Sequence, residues 1–213
     1  MKKRPVIIIG AGGHAKVVFD ILLLTETKVL GFSDLDPTRA GNSIHGCSIL
    51  GDDETVLRND PASVLLVNGV GSVGNMQARR AVFDKYSDKG YAFMTVIHPS
   101  AVVSPRSDIG IGVQIMAGAI IQIDSRISDN CIINTGAIVE HDCRIDAHVH
   151  LAPGVTLSGD VVVGTESHVG TGATIMQGVH LGRRCTVAAG AVVIADIGND
   201  TWVAGVPARE FQT

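Results

Sequence analysis

A six-residue repeat runs through the second half of the chain. Ile, Val or Leu recurs at every sixth position from Ile97 to Val193, seventeen times without an insertion. A small or β-branched residue follows each of them four positions later, from Ala101 to Ile197. An α-helix repeats every 3.6 residues and a strand every two, so neither explains this period. The repeat predicts a β-helix, in which each hexad forms one short face and stacked coils share a core.

The composition predicts a compact soluble protein with an aliphatic core. Of 213 residues, 46% are hydrophobic and only 4% aromatic, and 25 are glycine. This length allows one or two domains. The net charge of −4 gives no reason to expect a nucleic-acid or anionic-membrane partner. The apolar run that begins at Val6 breaks at Gly10, too early for a signal peptide or a membrane span.

The four cysteines do not resemble a disulfide set. Cys131, Cys143 and Cys185 occupy the small inward position of their hexads, where they would pack as free thiols. Cys47 lies in the other half of the chain without a CxxC partner. Reduced cysteines favour a cytoplasmic location.

The first 95 residues show a different pattern, in which strands alternate with helices. Such alternation predicts a small parallel sheet. We therefore expect two domains: a Rossmann-like α/β domain over 1–95 and a β-helix with a C-terminal tail over 96–213. The predicted strands are 5–10, 28–32 and 63–67, and the predicted helices are 16–24 and about 75–85.

The turn after the first strand is rich in glycine and predicts a nucleotide site. Gly12 and Gly13 would let backbone N–H groups approach a phosphate at the start of the helix. Asp34 follows about 20 residues later, where a ribose-binding carboxylate lies in dinucleotide folds. Because Ala15 replaces the last glycine of that motif, a purely structural turn is the alternative. The domain is too short for both halves of a dinucleotide site, so one nucleotide is expected and NAD is not.

Several motifs together resemble one enzyme family over essentially the whole chain. It is the sugar acyltransferases that join a nucleotide-binding N-terminal domain to a left-handed parallel β-helix, and the chain looks most like the bacterial UDP-bacillosamine-pathway N-acetyltransferases. Hexapeptide repeats alone would imply only the fold, so the N-terminal motif and His-Asp carry the functional likeness. The matching segments are IGAGGHAKVV at 9–18, HPSAVVSP at 98–105, NTGA at 134–137, VEHDC at 139–143 and GVPA at 205–208.

The resemblance implies a catalytic group around His141. This histidine matches the general base of the family, and Gly159 matches the residue whose backbone N–H stabilises the oxyanion. The two lie 18 residues apart, so in a coil of three hexads they stack at strand spacing, about 4.8 Å. Asp142 would orient the imidazole and raise its basicity. Cys143 is the alternative nucleophile, but its inward position favours direct transfer without an acyl-enzyme.

The same resemblance implies the substrate contacts. His150 matches a histidine that contacts acetyl-CoA, and the backbones of Thr171 and Ala189, in one column with Pro153, would line the pantetheine groove. Asn134 matches a sugar-contacting asparagine. In the N-terminal domain, the expected contacts with the nucleotide and its diphosphate are Gly12, Gly13, His14, Ala15, Lys16, Asp34 and Asp36.

Two other kinds of function remain as alternatives. Carbonic anhydrases on the same solenoid bind zinc through histidines, but His141, His148 and His150 are poorly spaced for a site that needs three ligands. We expect no metal. The second alternative is a non-catalytic scaffold or sugar-nucleotide sensor. His148, His168 and His180 are otherwise expected on solvated or subunit faces.

The leading hypothesis is an acetyl-CoA-dependent N-acetyltransferase. It would convert UDP-4-amino-4,6-dideoxy-N-acetylglucosamine to UDP-N,N′-diacetylbacillosamine as a homotrimer with active sites at subunit interfaces. A relative acting on another acceptor, either GDP-perosamine or a sialic-acid hydroxyl, is the alternative. The choice depends on loops such as 33–42, whose geometry the sequence does not reveal.

Overall fold

The computed structural model describes residues 4–72 and 76–211. The chain divides into two compact units. Met1–Gly71 and Ala78–Val96 form the first, and Ser72–Gln77 and Ile97–Thr213 form the second.

The first unit is built on a five-stranded sheet of order β3-β4-β2-β1-β5. Parallel pairs join β1 to β2 and β5, and β2 to β4. The inner strand β1 is buried along its whole length, as its apolar sequence predicts. The strands are β1 (Val6–Ile9), β2 (Val29–Ser33), β3 (Ser43–Ile44), β4 (Cys47–Gly51) and β5 (Leu65–Asn68).

The sheet is not wholly parallel, because β3 pairs antiparallel with β4. His45 and Gly46 form the two-residue loop of this hairpin, and both have positive φ, +47° and +80°. Two such residues give the loop twist that matches paired strands. The sequence prediction missed this hairpin and the short helix α2.

Among the residues that the structure describes, three α-helices and one 3₁₀ turn accompany the sheet. Helix α1 begins three residues before its predicted start, at Gly13, with Gly12 as its N-cap. The predicted start of the last helix near 75 lies outside the described residues. The helices are α1 (Gly13–Leu24), α2 (Asp53–Leu57) and α3 (Gln77–Ser87), and the 3₁₀ turn is Pro37–Arg39.

The second unit is a parallel β-helix whose short strands form three faces. Face A holds β6 (Val96–Ile97), β9 (Gln114–Ile115), β12 (Ile132–Ile133), β15 (His150–Leu151), β18 (His168–Val169), β21 (Thr186–Val187), β23 (Trp202–Ala204) and β24 (Arg209–Glu210). Face B holds β7 (Val102–Val103), β10 (Ile120–Ile121), β13 (Ile138–Val139), β16 (Thr156–Leu157), β19 (Thr174–Ile175) and β22 (Val192–Val193). Face C holds β8 (Asp108–Ile109), β11 (Arg126–Ile127), β14 (Arg144–Ile145), β17 (Val162–Val163) and β20 (His180–Leu181).

The strand register confirms the predicted coil of three hexads. Ile133 pairs with Leu151, and Leu151 pairs with Val169, each 18 positions further along the chain. The repeated aliphatic residue is the second residue of its strand. From Ile115 to Val193 it is buried in the shared core, whereas Ile97 in the first coil is exposed. The period therefore sets which side of every strand faces inward.

Buried thiols and hydroxyls at the coil corners satisfy backbone carbonyls. Cys131 Sγ donates to the carbonyl oxygen of Asp146 at 3.1 Å, and Cys143 Sγ donates to that of Ser158 at 3.2 Å. Ser125 makes the equivalent bond, so these inward residues pack and also pair polar atoms that the core would otherwise leave unsatisfied.

The corners contain a second six-residue pattern. One residue with φ near +60° recurs at every sixth position, where Gly, Asn or Asp is common because these residues tolerate the left-handed region best. The non-glycine members are Asp124, Asn130, Asp142, His148, Asp160, Glu166 and Arg184.

Across the described parts of the chain, no helix combines the length and apolar character needed to cross a bilayer.

Candidate functional site

The predicted site residues of the β-helix lie at two different corners. His141 and Gly159 each follow a strand of face B and precede a strand of face C, which defines the B–C corner. Asn134, Thr171 and Ala189 each follow a strand of face A and precede one of face B, which defines the A–B corner. The whole width of face B separates the two groups within one chain.

His141 and Asp142 form a hydrogen-bonded pair at the B–C corner. His141 Nδ1 lies 2.7 Å from Asp142 Oδ2, and the side chains are 51% and 59% exposed. Asp142 reaches back to the ring because its backbone occupies the left-handed corner position, with φ of +62°. The Asp142 carboxylate accepts a hydrogen bond from Nδ1–H, which leaves Nε2 of the neutral ring free to accept a proton.

The surroundings of His141 favour its protonated form. The hydrogen bond to Asp142 raises the pKa of His141, and the negative charges of Asp142, Glu140 and Asp160 add to this effect. The imidazole is therefore a stronger base than a free histidine side chain.

Gly159 lies directly beneath this imidazole. A Cβ at position 159 would come within 2.6 Å of His141 Cε1 and 2.7 Å of its Nε2. The backbone connects the two coils here, since Asp160 N–H donates to the His141 carbonyl at 2.9 Å. The Gly159 N–H has no hydrogen-bond partner among the described residues. This corner thus combines a base with an unpaired backbone donor.

Cys143 does not belong to this group of reactive atoms. It is 1% exposed, and burial raises the pKa of its thiol to about 11. A thiol that remains protonated at neutral pH is a poor nucleophile.

At the A–B corner, Asn134 and His150 are in contact. Asn134 Nδ2 lies 3.0 Å from His150 Nε2, and Ser72 Oγ lies 2.8 Å from His150 Nδ1. Thr135 N–H donates to Asn134 Oδ1, which identifies the other amide atom as the nitrogen facing the ring. His150 is only 6% exposed, so the structure joins two predicted substrate contacts in one buried network. Their separate roles stay predictions.

Thr171 and Ala189 lie exposed in one column above Pro153. Gly172 N–H donates to the Pro153 carbonyl at 2.9 Å, and Gly190 N–H donates to the Thr171 carbonyl at 2.8 Å. These bonds between coils confirm the predicted stacking of the column and leave a continuous exposed corner.

The remaining histidines do not share one environment. His148 is 9% exposed and its Nδ1 contacts Asn130 Nδ2, while His168 is half-buried. Burial lowers the pKa of His168, whose Nδ1 has no partner in the described part of the chain. Of the three histidines expected on solvated or subunit faces, His180 is exposed in the single chain, and a subunit face stays a prediction. Over residues 4–72 and 76–211, no cluster of three or more His, Cys, Asp or Glu side chains is suited to a metal ion.

The glycine-rich turn leads into the first turn of α1. Gly12 and Gly13 are exposed, and a Cβ at either would meet no atom within 4 Å. His14 is partly exposed and Lys16 is exposed, whereas Ala15 is fully buried and therefore offers only its backbone. The turn thus presents backbone N–H groups at a helix N-terminus, as a diphosphate site requires.

The left-handed residue of this turn is Gly10 and not Gly13. Gly10 has φ of +92°, and a Cβ there would lie 3.3 Å from Val70 Cγ2. Gly13 is the first residue of α1. The turn is therefore completed before the helix begins.

Asp34 and Asp36 differ in what they bind. The Asp34 carboxylate accepts the N–H groups of Ala11 and Asp36 and pairs with Arg39 at 2.7 Å. Asp36 is exposed and caps the 3₁₀ turn, where hydrogen bonds from Thr38 lower the pKa of its carboxyl group. Of these two aspartates, Asp34 is therefore the one that contacts the glycine-rich turn.

Two residues of these networks, Arg39 and Ser72, were not predicted from the sequence. The spacing from Asp34 through the Asp-Pro-Thr turn to Arg39 was a signal, since a turn can bring an arginine back to an aspartate. Ser72 carried no pattern of its own.

The chain matches family models in both units. Residues 5–86 match the PglD N-terminal domain, and residues 124–159 match the bacterial transferase hexapeptide (six repeats). No curated protein sequence matches the chain.

Solved structures match the chain over almost its full length. The H141A mutant of GDP-perosamine N-acetyltransferase from Caulobacter crescentus, in complex with CoA and GDP-perosamine, is 40% identical with a TM-score of 0.91, over 98% of this chain and 97% of that one. The chain belongs to the sugar acyltransferase family. The acetyltransferase domain of PglB from Neisseria gonorrhoeae, with acetyl coenzyme A, is 37% identical with a TM-score of 0.90, over 98% of this chain and 100% of that one.

A more distant likeness extends only to the fold. WeeI from Acinetobacter baumannii is 22% identical, with a TM-score of 0.87, over 98% of this chain and 100% of that one. As in other sugar acyltransferases, the β-helix is the left-handed parallel form built from hexapeptide repeats, which confirms the fold implied by the resemblance.

Proposed function

We propose that this sugar acyltransferase transfers the acetyl group of acetyl-CoA to the amine of a nucleotide-linked amino sugar. The observation that carries this proposal is the His141–Asp142 pair held over Gly159. The 40%-identical relative from Caulobacter is an N-acetyltransferase with CoA and a nucleotide-linked amino sugar bound, and the PglB domain is crystallised with acetyl coenzyme A.

The chemistry follows from the two atoms at the B–C corner. The sugar amine attacks the thioester carbonyl carbon while His141 Nε2 removes its proton. The oxyanion of the tetrahedral intermediate accepts the Gly159 N–H, and Asp142 stabilises the imidazolium. The C–S bond then breaks, and the imidazolium returns the proton to the departing CoA thiolate. No acyl-enzyme forms in this direct transfer.

We assign the nucleotide to the first unit. The start of α1 offers exposed backbone N–H groups, and the positive end of the helix favours a diphosphate. The segment from Gly12 to Lys16 would hold the diphosphate, with Asp34 beside it, while Asn134 would contact the sugar and His150, Thr171 and Ala189 would serve acetyl-CoA.

The finer substrate proposal is the UDP-linked 4-amino-4,6-dideoxy sugar that gives UDP-N,N′-diacetylbacillosamine. The basis for this choice is the resemblance of the sequence motifs, among them IGAGGHAKVV at 9–18, to the UDP-bacillosamine-pathway N-acetyltransferases. GDP-perosamine is the second candidate, because the Caulobacter relative binds it. A sialic-acid hydroxyl has less support, since the acceptor named for that relative is an amino sugar.

A panel of acceptors tests this function. UDP-, GDP- and dTDP-linked 4-amino-4,6-dideoxy sugars are incubated with acetyl-CoA, and free CoA and the acetylated sugar are measured with and without a chelator. We expect turnover with the UDP sugar, unchanged by the chelator, and a kcat lower by about 10²–10⁴-fold in His141→Ala. Exclusive turnover of the GDP sugar would establish the second candidate. No turnover with any amino sugar would contradict the proposed function.

We also propose a homotrimer in which neighbouring chains complete each active site. His141 and the groove formed by Thr171 and Ala189 lie at different corners, so one β-helix does not bring them together. A neighbour that packs its A–B corner against the B–C corner would supply the missing half. The four free cysteines agree with a reducing compartment, and we place the enzyme in the cytoplasm.

A further inference from the structure

The carboxylate of Asp34 is already occupied by the protein itself. Its Oδ2 accepts the Ala11 N–H at 3.1 Å and pairs with Arg39 Nη1 at 2.7 Å, and its Oδ1 accepts the Asp36 N–H at 3.0 Å. The Asp34 side chain is only 16% exposed. A carboxylate with three internal donors and little exposure is poorly suited to be the main contact for ribose hydroxyls.

Arg39, which is paired with Asp34, is partly exposed. Its Nη1 donates to Asp34, and its Nη2 donates to the Ala11 carbonyl at 2.7 Å. The second of these bonds links the 3₁₀ turn after β2 to the glycine-rich turn before α1. A guanidinium held at two points loses little further rotamer freedom when it binds a ligand.

The guanidinium of Arg39 can donate further hydrogen bonds to a ligand. A guanidinium has five N–H donors, and the two bonds above use two of them. The other three have no acceptor among the described residues, and the side chain is 35% exposed. One face of a guanidinium can also stack on an aromatic base.

The position of Arg39 points to the nucleoside part of a bound nucleotide. In parallel α/β sheets the nucleotide lies at the carboxyl ends of the strands, with its phosphates at the helix N-terminus and its nucleoside beyond the next strand. Arg39 follows β2 and contacts Ala11, which lies between β1 and α1. It is therefore next to the turn that would hold the diphosphate.

We propose that Arg39, which Asp34 and the Ala11 carbonyl hold in place, binds the nucleoside of the sugar nucleotide. The proposal rests on the proposed function. The contact expected from the sequence was a carboxylate that accepts hydrogen bonds from the ribose. The protein presents hydrogen-bond donors and a flat cation there instead of a carboxylate. The matching ligand atoms are acceptors, such as the carbonyl oxygens of uracil or guanine, together with the face of the base.

Binding to the intact protein tests the role of Arg39. UDP, GDP and inorganic pyrophosphate are titrated by calorimetry into the wild type, Arg39→Met, Arg39→Lys and, as a matched control, Arg58→Met, which changes an exposed arginine at the end of α2. We expect both Arg39 variants to bind the preferred nucleoside diphosphate at least about tenfold more weakly. Pyrophosphate binding, the KM for acetyl-CoA and binding by Arg58→Met should stay unchanged.

A second variant separates contact from charge. Arg39→Met leaves the Asp34 carboxylate unpaired near the diphosphate, so Asp34→Asn/Arg39→Met removes that charge as well. We expect the double variant, with its fold checked by circular dichroism, to remain weak for the nucleoside diphosphate. Restored binding would mean that Arg39 only neutralises Asp34, which would overturn the proposal.

Three other results would overturn the role of Arg39. Arg39→Met binding within twofold of the wild type, or an equal loss for pyrophosphate, would overturn the nucleoside contact while leaving the proposed function intact. A wild type that binds neither UDP nor GDP but still acetylates a free amino sugar would overturn both the Arg39 proposal and the assignment of the nucleotide to the first unit.

Discussion

The imidazole of His141 occupies the space that a side chain at Gly159 would need. A Cβ at position 159 would lie 2.6 Å from His141 Cε1 and 3.2 Å from its Nδ1. The absence of a side chain at Gly159, one coil further along the β-helix, therefore leaves room for the imidazole of His141.

Gly159→Ala should inactivate the enzyme without unfolding it. The added methyl would push the imidazole away, and the half-exposed His141 side chain has solvent to move into. We expect kcat to fall about 10²-fold, as for misplacement of a catalytic group. The control is Gly198→Ala, where the nearest atom would be Thr201 Oγ1 at 3.7 Å. Full activity in Gly159→Ala would show that the ring position is not critical.

Asp142→Asn should move the pH dependence of the reaction. The base acts in its neutral form, so kcat/KM rises with pH through the pKa of His141. The hydrogen bond to Asp142 is the main cause that raises this pKa, so its removal should shift the acid limb to lower pH. We expect kcat to fall about tenfold, less than in His141→Ala. Glu140→Gln is the control, because Glu140 raises the pKa of His141 less than Asp142 does, and it should shift the acid limb less. An acid limb that does not move in Asp142→Asn would contradict the hydrogen-bonded His141–Asp142 pair.

Cys143→Ala should retain activity. The thiol is buried, its pKa is raised to about 11, and it donates to the Ser158 carbonyl. We expect kcat to stay within about twofold and the free energy of unfolding to fall by about 1 kcal/mol. Cys131→Ala, which loses the equivalent bond, is the stability control. Loss of turnover together with an acetylated cysteine in mass spectra of the wild type would indicate an acyl-enzyme instead.

Mixing two inactive variants tests whether neighbouring chains share a site. His141→Ala removes the base at the B–C corner, and Ala189→Trp blocks the predicted acetyl-CoA groove at the A–B corner. If a trimer forms each site from two chains, equal mixing after dissociation should restore about a quarter of the sites. The separately refolded variants are the controls. No recovery in verified mixed trimers would place each site within one chain.

Gly10 and Gly13 should differ when each is replaced. Gly10→Ala puts a side chain at a positive φ and against Val70, which should destabilise the first unit by about 1–2 kcal/mol.

Gly13→Val has room for its Cβ but would cover the proposed diphosphate site. We expect the KM for the sugar nucleotide to rise at least about tenfold, or roughly 1.4 kcal/mol. The KM for acetyl-CoA should be nearly unchanged.

Measurement of both KM values and the melting temperature separates these effects. A selective loss of acetyl-CoA affinity in Gly13→Val would reverse the roles that we assign to the two units. Normal stability in Gly10→Ala would contradict the strained turn.

The periodic features of the chain could be predicted because periodicity is a local property. The hexad determines which residue of each strand is buried, and coil length then determines that His141 and Gly159 stack. The first strand and helix were predictable for a similar reason, since an apolar run followed by glycines has few alternatives. The antiparallel hairpin at His45 was missed because its signal is a backbone conformation at two residues.

The contacts made between distant segments were decided only by the tertiary structure. Sequence spacing placed Asp34 near a nucleotide, but not the Arg39 and Ala11 partners that occupy its carboxylate. Sequence spacing also did not predict that His150 is buried against Asn134 and Ser72. A repeating pattern specifies the same local geometry in every coil, whereas the environment of one side chain depends on which other segments fold against it.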